Sequence, residues 1–383
     1  MRFVNPYDGI NFASTPKVKA ISHEHITSTE QLKSAYDRGI RWFAPVWYQP
    51  AVPRYPMTGW SYEYLDYTNT NMDDFTTEMV SRYGSGSLSN FEDKDGNTVN
   101  VADLPNVPNA EHPKFALDKH AATPSIIQHF NVLGSLWPEV GHDVGAERMA
   151  KIQAHPLWDL NDINEKFTSD LLYAGKVFGT INHNKSKDTA IRFLETCPSI
   201  FKAIEINNNG YNLADNQAFR DLFDTLLTMG YRIWGTSVQD WQGDYRYSEV
   251  QYDRGCNVLL IPEYNSMTVS QKSEAGLDAY ISGCYYSSAF GNSAITELSI
   301  IGDSVKVSFD HSATRLYAIT NKGKYQSSGS SIVYKIPKGA TYIRFEAYFD
   351  GDQNALDFIF TNPIFIEDNG SDDIAQKLIL DII

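Results

Sequence analysis

The chain has 383 residues, of which 42% are hydrophobic and 21% charged, so it can build a large core and is not a disordered polymer. A formal charge of -15 argues against a nucleic-acid or anionic-membrane footprint, although bound metal ions could invert the field locally for an anionic substrate. The three cysteines, Cys197, Cys256 and Cys284, match no zinc or redox spacing and read as small buried hydrophobes, which excludes a disulfide framework.

Residues 1–7 carry no apolar run, and no stretch reaches membrane-spanning length. A soluble chain without a signal peptide is expected, either cytoplasmic or associated with a virion or cell surface. Residues 18–23 predict a strand, and Thr29 opens a helix to about Arg38, with Leu32, Ala35 and Tyr36 at helical spacing. Gly39 ends that helix, and residues 41–47 are apolar enough for a buried strand, which makes a βαβ unit. Residues 49–71 form a long loop rich in proline and tyrosine. Residues 83–97 read as an exposed excursion, residues 108–112 as a loop, and residues 125–132 as a strand.

Helices are expected at 145–154 and 161–174. Strands at 176–182, 203–207, 232–237 and 257–261 then alternate with helices at 187–195, 216–229 and 270–281. This alternation points to an α/β barrel or a layered α/β domain. From about Ser293 the pattern changes to short strands at 295–301, 305–309, 315–320, 332–336, 342–349 and 356–361, as in a small sandwich.

The chemistry begins at His23-Glu24-His25. Two histidines two apart at a strand end face the same way and can reach one ion. Other candidates also fall at strand ends or beside strands: Glu111 and His112, His129, His183, and Asp240 after Gly235-Thr236-Ser237. Imidazole and carboxylate together suit Zn, Mn or Fe better than Ca or Mg. Glu205 and Asn207 alternate with Ile204 and Ile206, and read either as structural hydrogen-bonding groups or as substrate contacts. Asn182 and Asn184 flank His183 and could orient it. His142, His155 and His311 lack such context and read as structural.

Taken together, these segments resemble the PHP (polymerase and histidinol phosphatase) superfamily, in particular its metallohydrolase branch with a C-terminal β module. The resemblance spans about residues 18–366 and includes the strand at 203–207, Ala275-Gly276-Leu277 in the closing helix, and Tyr342-Ile343-Arg344-Phe345-Glu346. It implies a distorted TIM-like (β/α)7 barrel over residues 1–290, a small β-sandwich over 291–368, and a tail at 369–383. It implies two divalent ions, one at His23, His25, Glu111 and Asp240, the other at Glu111, His129 and His183. Asp240 and His112 are then the expected catalytic residues, with His112 assisting the leaving group. A metal-activated hydroxide would attack a phosphate ester, small or glycan-linked.

Two positions depart from the family pattern, Tyr48 and Gln242, where the third-metal ligands would stand. They are expected to touch substrate instead, together with Arg54 and Asn207. Trp47, Tyr55, Trp60 and Tyr62 on the long loop either suit a sugar-like ligand or fold down as a small core of their own. Neither nucleic acid nor membrane insertion is expected, and association with a larger assembly stays open. Two other readings stand beside the phosphoesterase: a hydrolase of an amide, carbamate or carboxylic ester, and a surface or virion-associated carbohydrate-binding protein with a degenerate metal site.

Overall fold

A computed structural model describes residues 2–26, 28–46, 88–112, 128–135, 159–167, 173–240, 255–289, 293–349 and 357–367; the side chains of 110–112, 162, 166 and 167 are outside the description. In chain order the strands are β1 Arg2–Val4, β2 Lys17–Ile21, β3 Ile40–Phe43, β4 Phe91–Glu92, β5 Thr98–Val99 and β6 Asn109–His112. Next come β7 Phe130–Leu133, β8 Phe178–Ile181, β9 Phe201–Asn208, β10 Trp234–Val238, β11 Cys256–Leu260 and β12 Tyr285–Ser288. The last six are β13 Ile295–Ile301, β14 Ser304–Thr320, β15 Gly323–Lys335, β16 Tyr342–Tyr348, β17 Phe358–Thr361 and β18 Ile364–Glu367. The α-helices among the described residues are α1 Thr29–Asp37, α2 Leu160–Phe167, α3 Lys187–Thr196, α4 Leu213–Thr228 and α5 Val269–Ser282.

These elements do not form the expected (β/α)7 barrel with a separate sandwich. They form an open, mostly antiparallel sheet of 11 strands and a second sheet of five, in the order β10-β9-β8-β7-β6. A (β/α) barrel needs parallel neighbours throughout. Here β11 runs antiparallel to β2, and β7 runs antiparallel to both β6 and β8. The two sheets do meet, but along seams that are not strand ladders. On one side Phe43 accepts from the Val107 amide at 3.1 Å and donates to the Pro105 carbonyl at 3.0 Å. On the other, the Asn257 side chain accepts from the Ser237 amide and donates to the Ser237 carbonyl, both at 3.0 Å.

The β12 strand, which no pattern in the sequence announces, joins the C-terminal strands to the large sheet. It pairs with β11 on one edge and β17 on the other, so the C-terminal strands continue the large sheet. The reversal follows from α5. Gly283 caps that helix in the left-handed region at φ 74, and the Leu260 amide donates to the Cys284 carbonyl at 3.1 Å. The chain therefore re-enters the sheet at the end of β11 that it left.

Burial on both faces explains why the central strands read as continuous apolar runs. Val18, Ala20, Leu259 and Tyr285 join one core with Phe130, Phe178 and Phe201; Ile21, Val258, Leu260 and Tyr286 join the other with Ile343 and Phe345. The alternation is the period of two that a strand imposes. Gly276 marks a close approach, because a Cβ there would lie 2.0 Å from the Trp42 indole nitrogen.

Ser28, not Thr29, caps α1: the Gln31 amide donates to its hydroxyl, and its own amide donates to Gln31 Oε1 at 3.0 Å. Residues 108–112, expected as loop, hold β6. The strands expected at 305–309 and 315–320 are one strand, β14, with register shifts between Ser308 and Leu316. The long polar strand β15 was legible only at its apolar end, since Gln326-Ser327-Ser328-Gly329-Ser330-Ser331 shows no alternation. No helix among the described residues is long and apolar enough to cross a membrane.

Candidate metal centre

Residues 22–26 follow β2 through a bend at Ser22 and His23, and His25 bridges in parallel to Val46. The ring centroids of His23 and His25, both buried, lie 5.5 Å apart. Asp240 stands two residues past β10 and reaches them because its own amide donates to the His23 carbonyl at 3.0 Å. That tie holds Asp240 at φ 48, in the left-handed region. His183, two residues past β8, is also left-handed at φ 30. Neither is glycine, so each carries a backbone cost of about 1–3 kcal/mol that the surrounding hydrogen bonds must hold in place.

His23, His25 and Asp240 each offer one ligand atom within 4.8 Å of the others, a group that could hold a metal ion. Asp240 Oδ1 lies 3.3 Å from His23 Nε2 and 3.7 Å from His25 Nε2. Tetrahedral bonds of 2.0–2.2 Å put neighbouring ligand atoms about 3.4 Å apart. The donor chemistry and the spacing of these three groups could therefore hold a divalent transition metal ion.

Glu205 supplies the outer support. In β9, fully buried, its Oε1 accepts from His23 Nδ1 at 2.7 Å. A neutral imidazole with its Nδ1 hydrogen on a carboxylate keeps its Nε2 lone pair for an ion. Its Oε2 accepts from the His183 amide at 2.6 Å, so one carboxylate orients His23 and fixes the turn carrying His183. Burial alone would raise the Asp240 carboxyl, but His23, His25 and His183 outweigh it and hold the group down at about 2. Burial lowers the pKa of His183 against the opposing pull of Glu205 and Asp240, which keeps its imidazole neutral and able to ligate. Burial pushes Glu24, between the two histidines, up to about 8.

The other predicted residues distribute as follows. His183 Nε2 lies 4.0 Å from Asp240 Oδ2, and the His183 ring stands 4.8 Å from that of His129. Glu111 and His112 lie in β6, whose register places Glu111 opposite Asn131, but their side chains are outside the described residues. Tyr48, Arg54 and Gln242, and with them the loop at 49–71, are also outside the described residues, as are His142, His155 and the tail at 369–383. Asn207 donates to the Ser237 hydroxyl at 3.0 Å. Asn182 donates to Asn131 in β7, and Asn184 accepts from the Ser186 amide at the start of α3. His311 is exposed beside Asp310.

Sequence reasoning missed Asn208 and Tyr211. Asn208 is buried and donates to both Glu205 and Asp240. The Tyr211 ring stacks on His183 with centroids 5.1 Å apart, and its hydroxyl is pushed up to about 12 by burial with Asp240 and Glu205 nearby. The available signal was the run Asn207-Asn208-Asn209, three amides where a buried strand ends. No family model matches this chain, and no curated protein matches it.

Proposed function

We propose that this chain is a metal-dependent hydrolase acting on a phosphate ester, with PHP-like chemistry at the end of β2. The observation that carries the reading is the convergence of His23, His25 and Asp240 at ligand spacing, with Glu205 behind His23. A divalent transition metal bound there would polarise the scissile group and acidify water. The chain's own residues hold that site. Glu205 fixes the His23 tautomer, Asp240 supplies a carboxylate, and buried surroundings raise the electrostatic worth of both. In this reading His183 and His129, whose rings lie 4.8 Å apart, would supply imidazole ligands to a second ion, which supports Zn, Mn or Fe as the occupant class.

A second reading has its own support. An imidazole and carboxylate donor set such as His23, His25 and Asp240 also suits hydrolysis of a carboxylic ester or amide. One assay separates the two. Purified protein is analysed for bound metal, then given a generic phosphodiester and a generic aryl ester with added Mn or Zn. The expected result is at least one tightly held ion, lost in His25→Ala, and turnover of the phosphodiester above the aryl ester. Faster aryl ester cleavage selects the second reading. A protein that takes up neither metal refutes both.

A further inference from the structure

Resting on the metal-site reading above, we propose that Asn208 is a positioning residue: its one amide group clamps Glu205 and Asp240, so that His23 Nε2 and Asp240 Oδ1 are committed to a single ion. Asn208 Nδ2 donates to Glu205 Oε2 at 3.0 Å and to Asp240 Oδ2 at 3.1 Å. Its Oδ1 accepts from the Gly210 amide at 2.8 Å. The backbone N–H of Gly210 can only donate, so the amide oxygen must face it and the NH2 must face the two carboxylates. Both amide hydrogens and the amide oxygen are thereby used, with the residue buried.

The backbone of Asn208 is held as firmly as its side chain. Its N–H donates to Asn216 Oδ1 at 2.7 Å, and its carbonyl accepts from Asn216 Nδ2 at 3.0 Å. Asn216 belongs to α4, so helix and strand fix the clamp together. Gly210 leaves it room: a Cβ there would lie 3.1 Å from Asn208 Oδ1 and 3.6 Å from Asp240 Oδ2.

The clamp answers a specific electrostatic difficulty. Two buried carboxylates held close together repel each other. A neutral donor shared between them offsets that repulsion without adding a cation that would compete with the metal. It also divides each carboxylate. Glu205 spends Oε1 on His23 and Oε2 on His183 and Asn208, so it orients ligands and is not one itself. Asp240 spends Oδ2 on Asn208, which leaves Oδ1 facing His23 and His25.

The test compares the full-length wild type with N208A, N208D and G210A. Zn affinity is read by competition with a chromophoric chelator, ligand geometry by the visible spectrum of the Co-substituted protein, and stability by thermal melting of the metal-free form. Loss of an outer partner typically weakens binding about 10–100-fold. That loss is expected for N208A and N208D, with a shifted Co spectrum. G210A keeps every hydrogen bond while pressing on the clamp, and is expected to lose severalfold affinity with little change in melting. It also carries the test should the Asn208 variants fail to fold. Variants that melt lower but bind Zn like wild type, with an unchanged Co spectrum, would assign Asn208 a purely structural role and overturn the proposal. Wild type that binds neither Zn nor Co removes the metal site, and the clamp falls with it.

Discussion

His23 and Asp240 are joined twice: the Asp240 amide donates to the His23 carbonyl at 3.0 Å, and Asp240 Oδ1 lies 3.3 Å from His23 Nε2. The main-chain bond ties the end of β10 to the residues after β2, across sheets that share no strand ladder there. The side-chain pair then falls where an ion would sit. A backbone tie of this kind makes the ligand geometry a property of the fold, not of two flexible side chains.

Glu24 makes the metal-free protein sensitive to alkali. Burial raises its carboxyl to about 8; His23 and Arg38 pull against that, and Asp240 reinforces it. An acid whose folded pKa lies above its unfolded value contributes stability that is present below about 4.5 and is lost as pH rises toward about 8. In chelator-treated protein, wild type should therefore lose more melting temperature than E24Q between pH 5 and pH 8. Parallel curves for the two proteins would refute this.

Arg344 bolts the large sheet to α4. Fully buried, it donates from Nε and Nη2 to the two Asp224 oxygens, each at 2.6 Å, while Nη1 stands 2.8 Å from Glu346 Oε1. Burial would raise the Glu346 carboxyl, yet Arg344, Arg220 and Lys324 hold it down at about 2. Its contribution is present above about 4.5 and is lost as pH falls toward about 2. R344A leaves Glu346 buried without its main counter-charge, and should cost about 3–5 kcal/mol in urea unfolding at pH 7. A loss under 1 kcal/mol would show that the network contributes little.

Gly276 tests the packing between α5 and β3. The Trp42 indole lies over it and donates to the Ser273 carbonyl at 3.1 Å. G276A should destabilise by about 1–3 kcal/mol through overpacking. The penalty should shrink in a W42F background, and additive effects in that double-mutant cycle would count against the contact.

Residue order alone located most strands, all five described helices and the three residues of the metal group. It could do so because those signals are local: apolar periodicity, capping residues, and two histidines one strand repeat apart. It misjudged the architecture because strand direction is not a local property. Nothing in Cys256–Leu260 says that it will run antiparallel to Lys17–Ile21, and the short Tyr285–Ser288 strand that carries the large sheet onward has no periodicity to announce it.

The same division holds at the site. His23, His25 and Asp240 could be named in advance as candidates, since imidazole and carboxylate are common donors to a transition metal. The roles of Glu205 and Asn208 were decided only by tertiary structure. A carboxylate or an amide in a buried strand has no fixed partner until other strands arrive beside it. Here β2 and β10 bring His23 and Asp240 within hydrogen-bond reach of β9.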